Sequence, residues 1–167
     1  MRSAFLPALL LALVVPPVVL HAQPARGNRV TAAGETLELP NGPSFAANAA
    51  VLDEKSAARL APLAAYLKAN PDVKLRIEAH VDPSGNALKN VQLTQARAEA
   101  VTAELVNRGV DPAALEAVGM GGTEPLAPST TAEGKAVNAR VVFRVLERDG
   151  QRVPRTVAQV LSEGVVL

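Results

Sequence analysis

Residues 73–81 alternate. Val73, Leu75, Ile77 and Ala79 fall on one side of an extended chain, and Lys74, Arg76, Glu78 and His80 fall on the other, because successive side chains of a strand point to opposite faces. The pattern predicts a strand packed under helices on one face. Asp82-Pro83-Ser84-Gly85-Asn86 is turn chemistry. A helix from about Asn90 to Arg108 should follow, with Asn90 as its N-cap and Gly109 just past its end. Leu93, Ala96, Ala100, Val101, Ala103 and Leu105 supply its expected buried side. Strand, turn and helix in that order put a carboxylate, Asp82, at the strand's C-terminal end. They put a guanidinium, Arg97, about two turns into the helix. The rest of the chain then reads as scaffold that holds those two charges apart.

Ahead of this unit, residues 1–22 read as a secretory signal. Arg2 is the basic start, residues 4–20 are an apolar run, and Leu20-His21-Ala22 precedes the expected cut. An uncleaved inner-membrane anchor is the competing reading, opposed by Pro7, Pro16 and Pro17, which disfavour a regular spanning helix. Residues 23–44 form a polar lead-in and a first strand region, in which Val30-Thr31 and Thr36-Leu37-Glu38-Leu39 are strand-like and residues 40–43 a turn. A first hairpin or a broken first strand is expected there. Residues 52–69 carry one apolar stripe, Leu60, Leu63, Ala64 and Leu67, at helical spacing. Pro62 should bend that helix or delay its regular start, and Asn70-Pro71 should stop it.

Beyond Gly109, Asp111-Pro112 opens a short turn of helix, residues 116–120 a short strand, and residues 121–131 a loop. Residues 133–137 suggest one helical turn, and residues 139–146 the last core strand. Residues 148–167 read as an extension with a weak helix near Val157 to Leu161. Two long helical crossovers imply parallel pairing among the early strands, and the last two strands can pair antiparallel. The expected fold is α+β, a βαβαββ two-layer sandwich with a mixed four-stranded sheet and helices on one face.

Composition narrows the chemistry. The chain has 167 residues, with no cysteine and a formal charge of +1. Disulfides, Cys-based zinc sites, a thiol nucleophile and a lipid anchor on an N-terminal Cys are excluded. Arg2 is the only charge in the first 22 residues, so the remainder carries 16 basic and 16 acidic groups, and no basic field points to nucleic acid. Aromatics at 2% leave few stacking platforms for bases or sugar rings. The two histidines are His21 and His80, too few for a His-based metal site, and no serine stands at a nucleophile elbow. The run Gly119-Met120-Gly121-Gly122 leads into neither Gly-Lys-Ser/Thr nor a helix, so it is a turn and not a phosphate cradle. Neither catalysis nor a cofactor is expected.

Asp82 and Arg97 admit two readings. One is an intramolecular salt bridge tying strand to helix. The other is a receptor for a zwitterion, with Arg97 binding a carboxylate bidentately and Asp82 accepting from an ammonium. Backbone N–H groups of the turn after Asp82 and of the helix start would add donors.

Four blocks carry a further signal. Ala79-His80-Val81-Asp82-Pro83-Ser84-Gly85, Asn90-x-x-Leu93-Thr94-x-x-Arg97-Ala98, Gly119-x-Gly121 with Pro125, and Asn138-x-Arg140-Val141 together resemble the OmpA-like peptidoglycan-binding domain. That family includes the C-terminal domain of outer-membrane protein A, the peptidoglycan-associated lipoprotein and the flagellar stator protein. The resemblance covers about residues 45–147. It implies a βαβαββ fold with the last strand antiparallel, and non-covalent binding of the free ammonium and carboxylate of meso-diaminopimelate in the peptide stem of peptidoglycan. It also implies that Asp82 takes the ammonium and Arg97 the carboxylate. Asn90 stands at the helix start, Arg140 is the second arginine of the Asn-Arg-Arg block, Asn48 is a pocket residue, and Ser84 lies in the turn lining the site. His80 is expected as a structural hydrogen-bonding residue. The family's Gly-His-Thr-Asp is Ala79-His80-Val81-Asp82 here, its Leu-Ser is Leu93-Thr94, and its Asn-Arg-Arg is Asn138-Ala139-Arg140.

The expectation is a periplasmic, non-catalytic wall-binding module contributing to envelope integrity, with association to the outer membrane through a partner. The alternatives are an envelope interaction protein with a degenerate wall site, binding periplasmic or outer-membrane proteins, and an inner-membrane-anchored wall tether.

Overall fold

A computed structural model describes residues 31–33, 36–39 and 41–153. The signal at residues 1–22 and the weak helix near the C-terminus lie outside the described residues. The elements in chain order are β1 (Thr31–Ala33), β2 (Thr36–Glu38), α1 (Glu54–Ala58), α2 (Ala61–Ala69), β3 (Lys74–His80), α3 (Ala87–Asn107), a 3-10 turn (Pro112–Ala114), β4 (Leu115–Gly121), α4 (Ala132–Asn138), β5 (Val141–Arg148) and β6 (Gln151–Arg152).

The sheet runs β1-β2-β5-β3-β4, with β6 also on β5. β3 and β4 pair in parallel through α3, from Leu75 opposite Leu115 to Ala79 opposite Gly119. β5 lies antiparallel to both β2 and β3, with Phe143 opposite Leu37 and Ile77. The four strands β2, β5, β3 and β4 are the expected mixed sheet, with the last core strand antiparallel. Two short hairpin strands widen it to six: β1 folds onto β2, and β6 folds back onto β5. Among the described residues, parallel pairing holds for β3 and β4 only. β2 and β3 run the same way but do not touch, because β5 is inserted between them.

One core joins the helices to the sheet. Leu60, Leu63, Ala64 and Leu67 of the first helical region are buried with Leu75, Ile77 and Ala79 of β3, Val101 and Leu105 of α3, and Phe143 and Val145 of β5. The single helix expected over 52–69 is two. α1 is capped by Asp53, whose carboxylate accepts from Ser56 N at 2.7 Å. α2 restarts with Pro62 in its first turn, where the missing N–H costs no helical bond.

α3 begins earlier than its apolar pattern suggested. Asn86, not Asn90, is the N-cap, accepting from Lys89 N at 3.0 Å. The buried stripe is Thr94, Arg97, Ala98, Val101 and Leu105. Of the side expected to be buried, Ala103 is exposed and Leu93, Ala96 and Ala100 are half-buried. The helix ends at Gly109, whose positive φ of 85° suits a residue without Cβ. It packs so closely on β4 that a Cβ at Gly119 would overlap the Gln95 backbone. Gln95 covers the outer edge of β4, its amide donating to Ala117 O (3.3 Å) and accepting from Gly119 N (2.8 Å).

The face of β3 expected to be polar and exposed is partly closed. Glu78 and His80 are each 2% exposed. Arg144 of β5 meets the Glu78 carboxylate with two nitrogens at 2.9 and 3.0 Å. A buried carboxylate needs such a partner.

Candidate functional site

The site grows from the C-terminal end of β3. His80 N donates to Arg140 O and Val81 N to Gly121 O, both at 2.9 Å, so β3 is held on both sides until the chain leaves the sheet at Asp82. The Asp82 carboxylate then folds back on its own turn. One oxygen accepts from Ser84 N and the other from Asn138 Nδ2, each at 3.0 Å. Hydrogen bonds from the Ser84 and Ser129 side chains, with those from Asn138 and the Ser84 N–H, hold the carboxyl well below the usual carboxylate range. Asp82 is therefore ionised across the physiological range. Its amide donors are set by the fold, whereas the two hydroxyls can rotate away and leave room for an ammonium.

Asn138 closes α4 and is completely buried. Besides donating to Asp82, it accepts from Leu126 N (2.7 Å) and Ala127 N (3.0 Å) and donates to Ala127 O (2.9 Å). One side chain thus ties the 121–131 loop, α4 and Asp82 together. It was not among the expected site residues, although it stands in the Asn138-x-Arg140 block. A polar residue ending a short helix carries no sign of burial in the sequence.

Asn90 clamps the same turn from α3, its amide donating to Asp82 O (3.3 Å) and Ser84 O (3.1 Å). Its place is in the first turn of α3, and its work is to fix the 82–84 backbone. Thr94 sits one turn further on, buried, accepting from Gly121 N at 2.9 Å. Ser84 N and Lys89 N are both taken by side chains of this segment, so two of the backbone donors expected for a ligand here are already used.

Arg97 is 7% exposed. Its Nε donates to Ala49 O at 2.7 Å and one terminal nitrogen to Ala46 O at 3.0 Å. The guanidinium lies 5.0 Å from the centroid of the Phe45 ring. Asn48 does not reach the site with its side chain, which is exposed. It adopts φ 53° in a turn closed by Ala49 N on Ala46 O, a conformation Asn tolerates. That turn aims both carbonyls at Arg97. No ion pair joins Asp82 to Arg97 among the described residues, which removes the salt-bridge reading.

Arg97 and Arg140 line one cavity of about 380 Å³, with Phe45, Ala47, His80 and Ala139 among the other walls. Arg140 donates to Glu124 O at 3.1 Å, with the Glu124 carboxylate 4.0 Å away. Burial lowers both guanidinium groups. Asp82 is not in this lining. It follows His80 by two residues, a span of at most about 7 Å, and its anchor Asn138 precedes Arg140 by two. His80 is not the hydrogen-bonded structural residue expected, because neither ring nitrogen has a partner among the described residues. Those residues contain no cluster of His, Asp or Glu able to hold a metal ion.

The model described as the OmpA family matches residues 44–140. The chain belongs to the OmpA family. Among OmpA-family relatives, it is 35% identical over 117 residues to the probable lipoprotein YiaD of Escherichia coli K12, covering 69% of this chain and 53% of that protein. It is 40% identical over 75 residues to the peptidoglycan-binding protein ArfA of Mycobacterium bovis, covering 45% of this chain and 23% of ArfA. The chain therefore spans about half of the first relative and about a quarter of the second. The crystal structure of the peptidoglycan-associated lipoprotein of Burkholderia pseudomallei superposes with a TM-score of 0.57 at 32% identity, over 60% of this chain and 86% of that one. The matched region, residues 44–140, spans all the residues expected at the site, from Asn48 to Arg140.

Proposed function

We propose that this chain is a non-catalytic peptidoglycan-binding module of the periplasm, contributing to envelope integrity, with residues 1–22 acting as its export signal. Asp82 takes the ammonium and Arg97 the carboxylate at the free end of meso-diaminopimelate in the stem peptide. Arg140 adds a second cation to the lining, and Asn90, Ser84 and Asn48 hold the backbone that presents the pair. The observation that carries this reading is an ionised, internally braced Asp82 beside a cavity walled by two guanidinium groups. Two hydrogen bonds leave one Arg97 terminal nitrogen for a ligand oxygen. The relatives support the class of ligand, since one is named for binding peptidoglycan.

The test is co-sedimentation with purified sacculi. Asp82→Ala should abolish it while far-UV circular dichroism stays that of the parent. Full retention by Asp82→Ala would overturn the assignment. A second reading has a specific observation behind it. Arg97 already spends two donors on loop carbonyls, so the chain could serve as an envelope interaction protein with a weakened wall site. Failure of the unmutated protein to co-sediment would favour that reading.

A further inference from the structure

His80 has no role in the binding scheme above. It is 2% exposed, and both ring nitrogens are buried without a partner among the described residues. The residue lines the cavity together with Arg97 and Arg140, and no acidic residue shares that lining. Its charged surroundings come from three elements. Arg140 and Arg144 lie at the start of and along β5, Glu78 lies on its own strand, and Arg97 stands in the same cavity wall from α3. Glu78 is already engaged by Arg144 through two short bonds. The Glu124 carboxylate, 4.0 Å from Arg140, offsets part of that charge from outside the lining, and the field at the imidazole is cationic on the cavity side.

We propose that His80 makes carboxylate binding in this cavity proton-linked: an anion lodged against Arg97 and Arg140 offsets their field, and the imidazole takes up a proton. The imidazolium in turn strengthens the hold on the anion, since linkage between two binding events is reciprocal. This rests on the wall-binding reading given above. In the free protein, burial and then Arg140 push His80 down to about 4, so the ring is neutral at the pH of most compartments. The ligand-bound protein holds more protons than the free one between that value and its own, higher midpoint. Affinity therefore rises as pH falls through that window. Asp82 stays ionised throughout, because its carboxyl lies well below the usual range.

The experiment is an NMR titration of the His80 ring in the full-length protein, alone and with saturating meso-diaminopimelate. 1,5-Diaminopentane, which has the two ammonium groups without the carboxylates, is the control. The expected result is a His80 midpoint raised by about one pH unit with diaminopimelate and unmoved by the diamine. One unit corresponds to a gain of up to about tenfold in affinity on the acid side. Calorimetry should show affinity rising about fivefold from pH 6 to pH 4, and His80→Phe should abolish that slope whatever its own affinity. Binding of diaminopimelate with an unmoved His80 midpoint, or a slope kept in His80→Phe, would overturn the linkage and leave wall binding standing. Absence of binding at every pH would sink both.

Discussion

Replacing Arg97 by alanine should unfold more than it unbinds. The guanidinium donates to Ala49 O at 2.7 Å and Ala46 O at 3.0 Å, and hydrogen bonds to a charged group are worth about 1.5–3 kcal/mol each. The carbonyls belong to a surface turn that can relax into water, so the lower end applies, about 3 kcal/mol for the pair. Contact with the Phe45 ring, 5.0 Å away, adds about 0.5–1 kcal/mol. The expected loss is therefore about 4 kcal/mol, a large part of the roughly 5–15 kcal/mol that holds an ordinary domain. Urea unfolding followed by far-UV circular dichroism measures it, since the chain has no tryptophan. With a slope of about 2 kcal/mol per molar, the midpoint should fall by about 2 M. A loss below about 1 kcal/mol would refute the claim that Arg97 holds the 46–49 turn. Arg97→Lys keeps the charge but cannot reach two carbonyls with a planar fork, so its stability should fall between the parent and the alanine variant. Loss of wall binding in Arg97→Ala then has two causes, and Asp82→Ala is the cleaner probe of the ligand contact.

Asn138→Ala removes three bonds to the 126–127 backbone, for about 3 kcal/mol at roughly 1 kcal/mol each; by freeing Asp82 it should also weaken sacculus binding, and urea midpoints with co-sedimentation check both. Arg144→Leu leaves the buried Glu78 carboxylate with Arg76, 4.0 Å away, in place of two short bonds and should cost about 3 kcal/mol, whereas Glu78→Leu/Arg144→Leu together should cost less than either alone, as a double-mutant cycle would reveal. Stability should fall as pH drops from the ordinary histidine value of 6.5 towards about 4, because the unfolded chain binds a proton at His80 that the folded one refuses. The lowered carboxyls of Asp53, Asp72 and Asp82 act below their ordinary 3.8, outside that window. Urea midpoints between pH 4.5 and 7 should show the decline, and His80→Phe should flatten it.

Much of this molecule is local physics and was readable in advance. The alternation of 73–81, the stripe from Leu60 to Leu67 and the stop at Gly109 each depend on neighbours within one or two turns. The resulting α+β order is the one observed, and the four spaced blocks marked the end of β3 and the start of α3 as the place of interest. What could not be read depends on partners far away in sequence. Glu78 and His80 look like surface residues until β5 brings Arg144 and Arg140 against them, 66 residues on in the case of the Glu78–Arg144 bonds. Arg97 looks like a free ligand for the same reason, and the turn that occupies it lies 48 and 51 residues earlier. Asn86 and Asn90 are equally good caps by residue type, and the choice between them follows from Asn90 being needed to clamp the 82–84 backbone. Burial and charge pairing are properties of the packed sheet, and a linear pattern carries no record of which strand slides between which.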